Sequence, residues 1–283
     1  MARIHRFVLF SLYGAGSLTL IWVFSKAASF YILPHAERPF HELYRVFRPA
    51  GTWGLSLGVV GTVLMLLLLL YSVRKRFRFL RRLGFLSTWL NYHIFCGIFG
   101  PLFILLHTSF KLGGLVAVSF WSMVAVALSG VLGRYLYSQI PRSSLGNELD
   151  EAETLAKSRK LAQDIAQKRE DLPLIGSLLN ELTQFDRKAR GIMGLIKNAI
   201  GLHSKMGSVH RKLSEHGLHG SELKRVKRRL FRKARFEINL FYLADLNKVF
   251  HYWHVIHRPF ALIMYLIMIV HIGVALAFGI QVV

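Results

Sequence analysis

The 283-residue chain has one cysteine, Cys96, and only 15 acidic residues against 37 Lys+Arg. A single thiol excludes an internal disulfide and any CxxC-type metal or iron–sulfur site built from this chain alone. An iron–sulfur centre would have to belong to a partner. All acids except Glu37 and Glu42 lie between residues 134 and 250, so the long apolar runs contain no carboxylate. A zinc or copper site inside those runs would lack the third or fourth ligand it normally wants, with Cys96 as the sole non-histidine candidate. There is no GxGxxG, no P-loop and no EF-hand loop, so no nucleotide or calcium site is announced.

What the chain has in quantity is apolar sequence. With 53% hydrophobic residues and a mean hydropathy of +0.39, it falls in the membrane class. A spanning helix needs about 20 apolar residues. Five stretches qualify, at about residues 7–32, 53–72, 89–111, 114–137 and 255–280. The first also has features of a signal peptide, with Arg3 and Arg6 ahead of it and "SKAAS" as a cleavage candidate, although Phe7 to Phe24 is long for an h-region. The expected fold is an all-α integral membrane bundle of five spans, with a large helical cytoplasmic insert between spans four and five. In domain terms, residues 1–142 carry spans one to four, 143–250 form the insert, and 251–283 supply the fifth span.

The formal net charge of +22 follows topology and is not distributed as a nucleic-acid-binding surface. "RKRFRFLRR" (74–82) follows span two, and residues 134–250 carry 23 Lys+Arg against 13 Asp+Glu. The connection 33–52 has three Arg against two Glu, and the turn after span three has only Lys111. The positive-inside rule then puts the N-terminus, 73–88 and 138–250 in the cytoplasm and the C-terminus outside, in a multi-pass protein of the cytoplasmic membrane. Residues 74–82 also attract anionic lipid.

Within the insert, Asn147 is a plausible N-cap for a helix through "ELDEAETLAKSRKLAQDIAQKRE", which Pro173 should break. "GLHSKMGSVH" (201–210) reads as a loop or weak helix end. From Ser221 onward, Leu223, Val226, Leu230 and Ala234 share a helical face, and that helix is expected to run on into the last span. Docking a partner or simple structural capping are the roles open to this region.

The chemistry is carried by histidines. "HIFCGIFGPLFILLH" in span three places His93 and His107 fourteen residues apart, and "HRPFALIMYLIMIVH" in span five does the same for His257 and His271. Fourteen steps of about 100° end about 40° short of four turns, so both histidines of each helix share a face, about 21 Å apart along the axis. Spans three and five run in the same direction, so His93 should face His257 in one leaflet and His107 should face His271 in the other. Paired neutral imidazoles in lipid fit axial ligation of a b-type haem better than packing.

His254 lies about 100° off the His271 face and His251 roughly opposite it, so spacing favours His257; His254, one turn below, reads as a solvated interfacial histidine or as a neighbour of the inner haem edge, a propionate or a quinone pocket, and a further haem on His251 or His254 stays open. Arg134 and Arg258, at the cytoplasmic ends of spans four and five, are candidates for pairing with inner haem propionates, or for snorkelling to lipid phosphate. Lys111 is the matching outer candidate. Gly97 and Gly100, with Gly54, Gly58 and Gly61 on span two, either admit a flat macrocycle or bring helices together.

The H-x13-H pattern on two parallel spans resembles the di-haem b-type membrane cytochromes, including cytochrome b of quinol-oxidising complexes and the ferric-reductase and NADPH-oxidase type of membrane domain. The resemblance rests on about a third of the chain, 89–140 and 250–283. Ferric-reductase relatives have six spans and a flavin and nicotinamide domain, whereas this chain stops just past span five and inserts about 110 residues before it. The resemblance implies two haem b groups and electron transfer across the membrane between quinone or quinol and a partner redox protein of iron–sulfur, flavin or c-type cytochrome kind. The other reading is a transition-metal or proton transporter using the same histidines.

Overall fold

In the computed structural model, residues 2–82, 84–111, 113–140, 156 and 172–278 are described, and every regular element among them is helical. The helices are α1 (Ala2–Ile32), α2 (Tyr44–Phe47), α3 (Thr52–Arg76), α4 (Leu86–His107), α5 (Gly114–Gln139), α6 (Leu172–Thr183), α7 (Gly191–Glu215), α8 (Gly220–Phe241) and α9 (Leu243–Ala277). Among the described residues, five segments are long and apolar enough to cross a bilayer: Arg3–Ile32, Tyr44–Arg76, Leu86–His107, Val116–Gln139 and Leu243–Ala277. The chain is therefore a multi-pass helical membrane protein. Its spans expose Val131, Leu262, Leu266 and Ile269 outward, as lipid contact requires.

The chain divides into two compact units, one formed by residues 1–132 and 254–283 and the other by 133–253. In the first, α3 and α4 form the closest helix pair. His93, Gly97, Gly100, Ile104 and His107 fall within about 80° on one face of α4, which is the face turned to α3. A Cβ on Gly61 would meet the Ile104 side chain at 2.8 Å and the Gly100 carbonyl at 3.1 Å, and one on Gly100 would meet Met65 Sδ at 2.9 Å. These two glycines set the helix spacing. The opposite face of α4 carries an aromatic ladder, Phe95, Phe99 and Phe103, with successive ring centroids 4.9 and 6.1 Å apart. Tyr13 of α1 packs edge-on against the first two rings. Gly16 leaves room for Phe99.

The connection between α1 and α3 is a built structure that hydropathy did not reveal. Arg38 is only 7% exposed; its Nε donates to Leu33 O (2.9 Å) and its Nη2 to Tyr31 O (2.8 Å), while Nη1 donates to Ser109 O. Burial pushes this guanidinium below its ordinary pKa. One side chain thus caps the end of α1 and holds the segment after α4. There Ser109 and Phe110 take left-handed φ of 49° and 60°, at about 1–2 kcal/mol each for L-residues. The Ser109 hydroxyl donates to Phe47 O at 2.9 Å, which fixes the same turn from α2.

In the second unit, α6 to α8 and the start of α9 enclose Leu178, Leu182, Leu202, Val209, Leu213, Leu230 and Leu246. Residues 201–210, expected as a loop, lie inside α7. Leu202, Met206, Val209 and Leu213 recur at spacings of three and four and are all buried. At roughly 1.5–3 kcal/mol per buried aliphatic side chain, they outweigh about 1 kcal/mol for each helical glycine. Pro173 lies in the first turn of α6, where its missing N–H costs nothing, while the preceding helix expected at 147–171 lies outside the described residues. The continuous helix expected from Ser221 into the last span is interrupted at Tyr242, between α8 and α9. Tyr242 is fully buried, donates its hydroxyl to Ala189 O (2.6 Å) and accepts from Asn198 Nδ2 (2.8 Å), so the break is held by side-chain bonding. The last helix accordingly begins at Leu243 and carries the span expected from about 255.

Candidate functional site: two histidine pairs

α4 begins after Phe85 and ends at His107, so both its histidines fall near its ends. His93 Nδ1 lies 3.2 Å from Leu68 O, and His107 Nδ1 lies 2.8 Å from Gly54 O. A carbonyl only accepts, so each imidazole carries its proton on Nδ1 and keeps the Nε2 lone pair for another partner. The anchor on His107 depends on glycine twice. Gly54 is pressed against Arg48 O, where no Cβ fits, and the His107 ring lies against Gly58, whose added Cβ would meet Nδ1 at 2.6 Å and Cγ at 2.8 Å. Gly58 therefore makes room for the imidazole itself. Gly97 is the least crowded of the α4 glycines near His93, with Leu68 Cδ2 3.7 Å from a notional Cβ.

On α9, His257 Nδ1 lies 2.7 Å from Ser129 Oγ of α5. The Ser129 hydroxyl reaches Val126 O at 2.9 Å, and with its one hydrogen directed there its oxygen accepts the His257 Nδ1–H. Three of the four histidines are thus oriented through Nδ1 by groups of this chain. His271, the fourth, is exposed on the surface of α9.

His93 and His257 lie within electrostatic range of one another, and so do His107 and His271. Among the described residues, α4 and α9 do not approach as closely as α3 and α4 do. Midway between the pairs, the Tyr265 hydroxyl of α9 donates to Met65 O of α3 at 2.5 Å, and Ser119 Oγ of α5 donates to Met264 O at 3.0 Å. These two bonds tie α9 into the bundle at the depth where neither pair does.

The other sequence candidates are less closely engaged. Arg258 is exposed but within electrostatic range of His257, as is half-buried His254. Arg134 is exposed and belongs to the second unit, as does exposed His251. Lys111 is exposed. Tyr71, not singled out by the sequence, sits 5.1 Å from the His93 ring, and His5 Nδ1 lies 3.3 Å from the Tyr92 hydroxyl beside it. Among the described residues, no three His, Cys, Asp or Glu side chains converge as a metal-binding cluster. Comparison with family models, curated proteins and solved structures returns no match.

Proposed function

We propose that the chain is a di-haem b cytochrome subunit that carries electrons across the membrane. The observation that carries this reading is the duplicated imidazole pair, His93 with His257 and His107 with His271, each within electrostatic range and three of the four held through Nδ1. Orientation of the distal ring nitrogen by a second group is what metal-ligating histidines require, because it fixes the tautomer and the ring plane. The donor set fits haem, which would take two nitrogen donors from the protein at each site. A bare zinc or copper ion would ask for more ligands than two imidazoles.

In this reading His93 and His257 would hold the inner haem and His107 and His271 the outer one. Haem iron, when bound, would supply one-electron ferric/ferrous chemistry, and two histidines from the protein for each haem would suit electron carriage. The carbonyls of Leu68 and Gly54 and the hydroxyl of Ser129 keep the ligands neutral and aimed. Met65, Phe103, Met264 and Met268, all buried, exclude water from the bundle interior. The lysine and arginine distribution supports a cytoplasmic side for the inner pair and the insert. Quinone or quinol at one face and a partner redox protein at the other complete the path, with Arg258 a candidate for an inner propionate.

The test is redox titration of the purified full chain and its four single His→Ala variants. His93→Ala and His257→Ala should remove the same titrating component, and His107→Ala and His271→Ala the other. Loss of different components by members of one pair would refute the assignment.

A further inference from the structure

The insert carries a small apolar face whose chemistry is independent of the histidines. Between residues 172 and 250, the exposed large hydrophobic side chains among the described residues are Met193 (76% exposed), Ile196 (42%) and Ile200 (65%). All three lie on α7, at spacings of three and four that confine them to an arc of about 60°. Their neighbours on that helix, Leu195, Leu202 and Met206, are buried in the core of the unit, so the exposed face is the one the fold leaves outward. Immediately before it, Arg187, Lys188 and Arg190 are exposed. Arg187 rests over Phe185 and Arg190 over Phe241, which brings both cations to the same end of the helix. Of the acids beside them, Asp186 is matched by Lys197 at 2.9 Å, and Asp245 accepts from the Gly191 N–H at 3.2 Å.

We infer that this face docks on the bilayer surface, with Met193, Ile196 and Ile200 entering the headgroup–acyl boundary and Arg187, Lys188 and Arg190 engaging anionic headgroups. Apolar tips beside a cluster of cations are the chemistry of an interfacial helix. The face extends about 10 Å along the helix axis. That is far short of the roughly 800 Å² per partner of a stable protein interface, but sufficient for a segment already held at the membrane. Such tethering follows from connectivity, because the chain leaves the bilayer through α5 and returns through α9.

The test uses the full chain in nanodiscs, in a Cys96→Ala background, with an environment-sensitive fluorophore on Met193→Cys or Ile200→Cys and, as control, on exposed Lys224→Cys of α8. In discs containing anionic lipid, the labels at 193 and 200 should be blue-shifted and quenched by brominated acyl chains, and the label at 224 should be neither. Replacing Arg187, Lys188 and Arg190 by Gln should lower the docked-to-undocked ratio on the order of 100-fold. Unsubstituted protein supplies a measurement free of folding artefacts, since amide exchange over 184–192 should slow in anionic relative to zwitterionic discs. Labels at 193 and 200 open to aqueous iodide and indifferent to lipid bromine would overturn the inference. Labels shielded from both quenchers would also overturn it, by showing a protein surface over the face.

Discussion

Gly58→Ala isolates the outer histidine pair from the inner one. The added methyl group would stand 2.6 Å from His107 Nδ1 and 2.8 Å from Cε1, whereas ordinary contact begins near 3.4 Å. The ring must therefore retreat by about 0.8 Å, which can lengthen the 2.8 Å bond to Gly54 O to at most about 3.6 Å and so weakens or breaks it. Overpacking costs about 1–3 kcal/mol, while alanine in a helix recovers about 0.5–1 kcal/mol relative to glycine. The fold should therefore survive. Losing the group that orients a ligand should weaken haem affinity at the outer site by about 10–100-fold. Haem per chain by pyridine haemochrome, with the two components separated by redox titration, should show the outer one depleted and the inner one retained. Gly97→Ala, where the nearest atom is 3.7 Å away, should leave both in place. Full occupancy of both sites in Gly58→Ala, or equal loss of both, would refute the reasoning.

Ser129→Ala removes the acceptor of the His257 Nδ1–H and should weaken the inner site by about 10–100-fold, leaving the outer component at its wild-type amplitude in the same titration. Arg38→Leu deprives three carbonyls of their donor and should lower stability by at least about 3 kcal/mol, read as a fall in the thermal midpoint of the detergent-solubilised protein. Tyr242→Phe removes the hydroxyl bonded to Ala189 O and Asn198 Nδ2 and should cost about 1–3 kcal/mol, seen as faster amide exchange at the α8–α9 break. The Lys197 ammonium beside Asp186, with the amides of Lys188 and Ala189, holds that carboxyl below its ordinary value. Its contribution to the 186–198 turn is complete above the usual carboxylate range and fades as pH falls through the lowered value, so local exchange should accelerate in acid. Asp186→Asn should abolish that pH dependence.

The features legible in the sequence are those governed by one-dimensional rules. Spans show themselves because lipid demands long uncharged runs, and the shared face of His93 and His107 follows from helix periodicity alone. The Nδ1 partners did not show themselves: Leu68 and Gly54 act through backbone carbonyls, which every residue possesses, and Ser129 lies 128 positions from His257. Gly58 was visible as a glycine on span two, but only the packing distinguishes room for an imidazole from room for a macrocycle. Arg38 was hidden by its setting, since a lone arginine beside Glu37 reads as a solvated loop cation until its three carbonyl partners converge. In the insert, glycines 201 and 207 suggested a loop, and the buried stripe from Leu202 to Leu213 overrode them. The break at Tyr242 depends on Ala189 and Asn198, which local propensity cannot anticipate.

The central claim is that the two imidazole pairs hold haem. Its most direct test is the dithionite-reduced minus oxidised spectrum of the full chain, purified in detergent after haem-replete expression, with haem counted against protein. Two b-type haems per chain that bind no carbon monoxide when reduced are the expected result. A colourless protein, or haem whose content is unchanged in His93→Ala and His107→Ala, would contradict the account.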